Sequence, residues 1–249
     1  MKINFLKKCA AAVLAVSVLS TGLIASAAEI SPATPAPQVS DNSEWVFPTP
    51  ADGQVPYDQY LGALLDVYYR NDPRAFVALG LGTEEEAASI YNEVLNSEVL
   101  SMELDSYFNA ECPEDIKNDL QTLMAQMLGS ARYAVAGCEL QADGTYKVTL
   151  VYEKMIVFEP LMELYMAVVT DMAENWISYY ASYPSDEELM IHIVAALRDS
   201  LRVTLENVTY AAPAITTVTF RPQGGVCLPD VNDIAKIESA LFDTDYIMD

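Results

Sequence analysis

The sequence has little of what metal sites and acid–base catalysis use. Its 249 residues include one histidine, His192, and no C-x-x-C, G-x-S-x-G, G-x-G-x-x-G or P-loop motif. Catalytic triads and zinc sites generally draw on more than one such side chain. No catalytic residue, metal site or cofactor is therefore predicted. His192 lies beside the apolar stripe of a predicted helix, where packing is its expected role.

Basic residues are scarce as well. The chain has 13 lysines and arginines against 36 acidic residues, a formal charge of −23. Without three lysines near its beginning the charge is −26, because 10 basic residues then face 36 acidic ones. Nucleic acids and anionic membranes are bound by cationic side chains, so neither is an expected partner. The charge indicates solubility outside the cell, with attraction of cations or basic peptides as the functional alternative.

Only one long apolar run is present, at the beginning of the chain. It spans Cys9–Ile24, 16 residues (24 − 9 + 1), between three lysines and the small residues Ala25–Ala27. A membrane-spanning helix needs about 20 apolar residues, so residues 1–28 are interpreted as a cleaved export signal. The expected location is secreted and extracytoplasmic, and the alternative is a membrane tether formed by an uncleaved signal. Cys9 precedes the apolar run, which argues against a lipid-modified cysteine.

Residues 29–56 are rich in proline and are predicted to form an extended linker. Trp45, Val46 and Phe47 interrupt this composition and can dock on the folded body. Residues 57–248 remain for one α+β domain, with 57–158 and 159–248 as candidate related halves. Three cysteines follow the signal, so at most one internal disulfide can form, and Cys112 with Cys138 is the pair to test.

Two acidic clusters have the same position relative to a helix. Thr83 is followed three places later by Glu86, and Ser185 is followed three places later by Glu188. This spacing is that of a capping box, in which the hydroxyl and the carboxylate satisfy free amides of the first turn. The clusters are 102 positions apart (185 − 83), so capping is the simplest common cause. Asp230 is predicted to cap the last helix in the same way.

Apolar periodicity predicts six helices and two strand pairs. The first pair surrounds Asp143-Gly144, a dipeptide typical of tight hairpins. In its second strand Val148 and Leu150 point one way, while Lys147 and Thr149 point the other. Two further strands are expected in the segment 201–222, broken near Ala212-Pro213. Both halves thus read as helices followed by a hairpin, which predicts an α+β fold with an antiparallel four-stranded sheet.

Contact surfaces are predicted from exposure and residue type. Tyr179, Tyr180 and Tyr183 cluster at the end of a predicted helix, and tyrosine binds sugars and peptides with little loss of side-chain entropy. The solvent face of the sheet is the other candidate. Among so many acidic residues some pair would always fit a glycosidase, so acidic pairs discriminate little.

The segments "YYRNDPRAFVALGLGTEEEAASIYNEVL", "ARYAVAGCELQADGTYKVTLVYEK" and "YPSDEELMIHIVAAL" resemble an uncharacterised family of exported proteins and lipoproteins from Gram-positive bacteria. The resemblance runs from about residue 57 to residue 242. It implies an extracytoplasmic α+β domain without established catalytic residues. The leading expectation is a non-enzymatic binding module for an extracellular ligand or protein. The alternatives are a structural or self-associating surface protein, and then a carboxylate-dependent hydrolase of cell-wall glycan or peptide.

Overall fold

The structure, a computed structural model, describes residues 56–101, 112–175, 178–179, 182, 185–223 and 226–244. Seven helices have described bounds: α1 (Tyr57–Arg70), α2 (Arg74–Ala78), α3 (Glu84–Ser101), α4 (Glu114–Gly129), α5 (Phe158–Glu174), α6 (Asp186–Glu206) and α7 (Val231–Leu241). Six strands are described: β1 (Arg132–Leu140), β2 (Tyr146–Glu153), β3 (Met155–Ile156), β4 (Thr209–Tyr210), β5 (Ala214–Gln223) and β6 (Val226–Pro229). The predicted α+β class is confirmed. The five-residue α2 was not predicted, because it is too short to show a helical period.

The main sheet has the strand order β1-β2-β5-β6, and every neighbouring pair is antiparallel. β2 and β5 pair along seven positions, from Tyr146 opposite Phe220 to Tyr152 opposite Ala214. The short β3 and β4 form a separate two-stranded sheet. Strands from both candidate halves therefore meet in one sheet at the β2–β5 pair. The relatedness of the halves stays a prediction.

One face of the sheet lies in the core. Val148, Leu150, Val218 and Phe220 of the two central strands are all 0% exposed. α1 covers β1 and β2 on this face, and α7 packs against β2 and β5. Strand residues alternate between faces, so the intervening residues of β2 and β5 point away from these helices. The predicted division of β2 into a packed and an outward face agrees with this arrangement.

The expected strand near residue 203 is wrong. α6 continues to Glu206, and the buried residues Leu197, Leu201, Thr204 and Leu205 recur at helical spacing. This packing outweighs the strand preference of Val203 and Thr204. Beyond α6, only Thr209 and Tyr210 form the strand before Pro213, and they pair with β3. The hairpin partner of β5 is β6, which was not predicted.

The remaining helices pack in succession beside the sheet. α3 lies against α4, α4 against α6, and α6 against α5. Arg202 of α6 donates to Asp119 of α4 at 3.1 Å, and this contact joins the two helices at their surface. None of the described helices is both long and apolar enough to cross a bilayer.

The beginning of α5 is capped by a residue from the end of the described chain. Oδ1 of Asp243 accepts from the amides of Val157 and Phe158, both at 2.9 Å. Its other oxygen, Oδ2, accepts from the amide of Glu159 at 3.0 Å. Asp243 is 8% exposed and its own amide donates to the carbonyl of Met155. One carboxylate therefore satisfies three amides that a helix N-terminus leaves free.

Candidate functional site

The outer edge of β1 is the first candidate site. β1 is nine residues long and lies at one end of the strand order, so β2 is its neighbour on one side only. Its six residues from Tyr133 to Cys138 include no charge and no proline. Natural edge strands are usually shortened, charged or broken by proline, because their free backbone groups can pair with another chain. A bulge between Val135 and Gly137 is the one irregularity in the ladder.

A tight hairpin positions the end of β1. Gly144 has a φ of 83°, a value that L side chains rarely adopt, and its amide donates to the carbonyl of Gln141 at 3.0 Å. The carboxylate of Asp143 accepts from the amide of Thr145 at 3.0 Å and from its hydroxyl at 2.7 Å. These bonds from Thr145 hold the pKa of Asp143 below its ordinary value. The hairpin register is therefore fixed locally.

The hairpin also determines which amides of β1 face outward. The amide of Gln141 donates to the carbonyl of Thr145 at 2.8 Å, which makes these residues a hydrogen-bonded pair. Bonded and non-bonded pairs alternate along an antiparallel ladder. Leu140 and Cys138, opposite Tyr146 and Val148, therefore direct their amides to the outer edge. Leu140 is 64% exposed, so the edge is accessible at this end.

Contacts with α1 hold β1 in place. The hydroxyl of Tyr133 donates to Oδ1 of Asp66 at 2.9 Å, and Arg70 donates to the same oxygen at 3.0 Å. The Arg70 guanidinium also lies 4.1 Å from the centre of the Tyr133 ring. Burial and the negative charge of Asp66 raise the pKa of Tyr133, so its hydroxyl stays a proton donor. The strand is thus held at one edge by β2 and across its inner face by α1.

Two carboxylates lie near Cys138 at the hairpin end of β1, and Lys147 is the cross-strand neighbour of one of them, Glu139. Burial raises the pKa of the Cys138 thiol, and the negative charges of Asp58 and Glu139 raise it further. Glu139 is exposed and Asp58 lies in the first turn of α1. A cationic group on a partner would be attracted to this end of the strand.

The second candidate site is the outward face of the sheet, here called the open face. Its centre carries small, β-branched and hydroxyl side chains, and described rows across it are Ala134–Val151–Ile215 and Gly137–Thr149–Thr217. Ile215 is 68% exposed, and Ala134 and Thr217 are exposed as well. No described helix covers these residues. Charged side chains lie at the margins, where Arg132 pairs with Glu153 at 2.8 Å and Arg221 pairs with Asp230 at 3.0 Å.

The predicted caps lie at separate helix beginnings. At α3 the amide of Thr83 donates to the Glu86 carboxylate at 2.8 Å, and the amide of Glu86 donates to the Thr83 hydroxyl at 3.1 Å. At α6 the Ser185 hydroxyl accepts from the amide of Glu188 at 3.1 Å. Asp230 accepts from the amide of Asn232 at 3.0 Å at the start of α7. These residues have structural roles, and the structure does not bring them together.

The predicted tyrosine cluster falls largely outside the described residues. Tyr180 and Tyr183 lie there, whereas Tyr179 is half-buried against the core. The Tyr179 hydroxyl donates to the Asp171 carboxylate at 2.7 Å, and its ring centre is 5.9 Å from that of His192. Tyr179 therefore packs against the core with only part of its surface exposed, and its ring contacts His192.

The described cysteines do not form the disulfide proposed for testing. Cys112 is buried, Cys138 is half-buried, and both are thiols. Within the described ranges no group of three or more histidine, cysteine or carboxylate side chains is placed to hold a metal ion. Sequence reasoning considered a sheet edge for self-association but did not identify β1 as the edge strand, because nothing local to "RYAVAGCEL" shows that β1 ends the strand order.

Comparisons with known proteins give a distant likeness of fold. No protein-family model matches the chain, and no curated protein matches it. A crystal structure described as "a putative lipoprotein (ycdA)" from Bacillus subtilis is similar with a TM-score of 0.47 and 14% sequence identity. The similarity covers 73% of this chain and 54% of that protein, so the chain spans about half of its length. The resemblance to an exported Gram-positive family stays a prediction.

Proposed function

We propose that the protein is a non-enzymatic module that works outside the cell and binds an extended segment of a partner protein along the outer edge of β1. The observation that carries this proposal is a nine-residue strand with a hydrogen-bonded neighbour on one side and none described on the other. A partner strand added there would gain main-chain hydrogen bonds in register. α1 supports the inner face of β1, so little ordering of this protein would be needed on binding.

The partner segment is proposed to be basic. Asp58 and Glu139 lie at the hairpin end of β1, and the chain without its export signal carries a formal charge of −26 (10 − 36). Attraction between opposite charges would raise the association rate and would weaken as salt is added. The non-enzymatic part of the proposal rests on the use of the predicted acidic clusters as helix caps.

The test uses a synthetic ten-residue peptide that alternates threonine with valine and has two lysines at one end. The matched control is the same peptide with every second amide N-methylated, which removes the donors of one edge while the side chains stay. Calorimetry measures the dissociation constant at two salt concentrations. We expect the unmodified peptide to bind, with affinity falling as salt rises, and the methylated peptide to lose most of its affinity. Equal binding of both peptides would contradict strand addition.

Two variants of the protein locate the contact. Leu140→Pro removes one outward amide, whereas Leu140→Ala removes the same exposed side chain and keeps the amide. A net backbone hydrogen bond contributes about 1 kcal/mol, so Leu140→Pro is expected to raise the dissociation constant about fivefold. Leu140→Ala should bind like the unchanged protein. If the two variants bind equally well, the β1 edge is not the contact.

Self-association through the same edge is the second candidate, since β1 of one copy could pair with β1 of another. The charge of −26 opposes it, because two acidic copies repel at short range (10 − 36). Sedimentation equilibrium of the Leu140→Pro and unchanged chains separates the candidates. A monomer at all concentrations supports the basic partner, whereas a dimer that Leu140→Pro dissociates would favour self-association.

A further inference from the structure

We infer that Trp45, Val46 and Phe47 of this chain's own linker pack on the open face of the sheet. The inference concerns side-chain packing on a face, and it does not rest on strand addition at the β1 edge. The three residues lie in a proline-rich segment and precede the described residues. Trp45 and Phe47 are the two aromatic residues of residues 29–56, and Val46 lies between them.

The open face has the shape that large side chains need. On the β1 side of this face the side chains are small, at Ala134, Ala136 and Gly137. Larger side chains stand beside them on β2 and β5, at Val151 and Ile215. A Cβ built on Gly137 would meet nothing within 4 Å. The described outward positions of β1, β2 and β5 carry no aromatic residue. An indole and a phenyl ring would therefore find a shallow apolar surface, and their burial would stabilise the contact.

The linker can reach this face. α1 begins at Tyr57, whose ring lies 4.6 Å from that of Tyr146 at the start of β2. Phe47 is nine positions before Pro56 (56 − 47), and nine extended residues span about 30 Å. From Tyr146 to Val151 is five strand residues, about 17 Å, and crossing to the other face adds about 5 Å. The distance is within the reach of the segment without any change in α1.

Size and charge favour this occupant over a second copy of the chain. Three strands by three rows cover roughly 300 Å², whereas a stable interface buries about 800 Å² per partner. Three apolar side chains from a tethered segment match the smaller area, and the tether supplies a high effective concentration. Residues 29–56 carry four acidic and no basic residues. Arg132, Lys147 and Arg221 share the open face with Glu139 and Glu153, so this face carries one net positive charge (3 − 2).

The experiment uses Trp45 as its reporter in the full chain. The sequence has two tryptophans, so Trp176→Phe leaves Trp45 as the single indole. Acrylamide quenching and the emission maximum are measured in this background. Two further variants change the open face, Ile215→Asp and Thr217→Glu. The matched control is Val203→Asp, which places the same charge on an exposed apolar position of α6, 46% exposed in the structure. Circular dichroism verifies that each variant is folded.

We expect Trp45 to be quenched several-fold less in the folded chain than in urea, with a blue-shifted maximum. Ile215→Asp and Thr217→Glu should both raise the quenching and shift the maximum to the red, and Val203→Asp should leave both unchanged. If Trp45 is quenched in the folded chain as fast as in urea, the inference is overturned. It is also overturned if Trp45 is protected but neither folded open-face variant changes the protection.

Discussion

The carboxylate of Asp243 accepts the amide proton of Phe158 at 2.9 Å, across 85 positions of sequence. No side chain of the preceding residue caps α5, so this long-range bond replaces a local one. Because Asp243 also serves Val157 and Glu159, its loss would leave buried amides without an acceptor.

Asp243→Ala is therefore expected to lower the free energy of unfolding by roughly 1–3 kcal/mol, the cost of buried polar groups left without partners. Asp243→Asn keeps one carbonyl oxygen and should lose less. Urea unfolding monitored by circular dichroism measures both. The control Glu206→Ala removes an exposed carboxylate from the end of α6, and we expect no loss. An Asp243→Ala protein as stable as the unchanged chain would show that the cap contributes nothing.

Substitutions of the two capping-box residues at the start of α3 are expected to have coupled effects on stability. Thr83→Ala and Glu86→Ala should each reduce the free energy of unfolding by about 0.5–2 kcal/mol. The double variant should lose less than the sum, because either substitution disturbs the reciprocal pair of bonds. A double-mutant cycle in urea measures the coupling. Strictly additive losses would mean that the two bonds act separately.

Replacement of glycine by alanine is expected to have opposite effects on stability at two positions, Gly62 and Gly82. A Cβ on Gly62 of α1 would lie 3.8 Å from Val135, an ordinary contact, so Gly62→Ala should stabilise by up to about 1 kcal/mol through helix propensity. A Cβ on Gly82 would lie 2.7 Å from both Glu86 and Phe76, and Phe76 is 1% exposed. Gly82→Ala should therefore destabilise, with Thr83 and Glu86 disturbed as well. Thermal unfolding of the two variants tests the signs, and a rise in Tm for Gly82→Ala would contradict the close packing.

The contribution of Asp230 to the stability of the fold is expected to depend on pH. The hydrogen bond from Arg221 holds the pKa of Asp230 below its ordinary value of 3.8. A carboxyl with a lowered folded-state pKa stabilises fully above its unfolded value, and the effect disappears as the pH falls through the folded value. The destabilisation by Asp230→Asn should thus be constant near neutral pH and shrink below pH 3.8. Urea midpoints of both proteins across acidic pH measure it, and a difference that grows on acidification would have the wrong sign.

Local features of the fold could be predicted from the sequence. The caps at Thr83 and Ser185, the Asp143-Gly144 hairpin and the alternation of β2 depend on residues a few positions apart. Each is an interaction of near neighbours, so the spacing itself carries the information. The α+β class follows from the change between helical and strand periods.

Long-range features could not be predicted in the same way. The strand preference of Val203 and Thr204 suggested a strand, but burial of Leu201 and Leu205 favours helix at that point. The cap from Asp243 to α5 depends on where the end of the chain lies in space. The β1 edge depends on strand order, and the sequence of β1 is the same whether it lies at an edge or in the middle. The candidate site therefore became visible only in three dimensions.

The pairing of β2 with β5 also has a kinetic consequence. The central ladder pairs residues 146–152 with residues 214–220, which lie far along the chain. The cap of α5 needs Asp243, which lies further still. During synthesis the central ladder therefore cannot form before residue 220 has been added, nor the cap of α5 before Asp243. Pairings between distant segments slow folding, because the entropy of loop closure is lost before the stabilising contacts form. Until β5 has been made, β2 would have β1 as its strand neighbour on one side and an unpaired edge on the other.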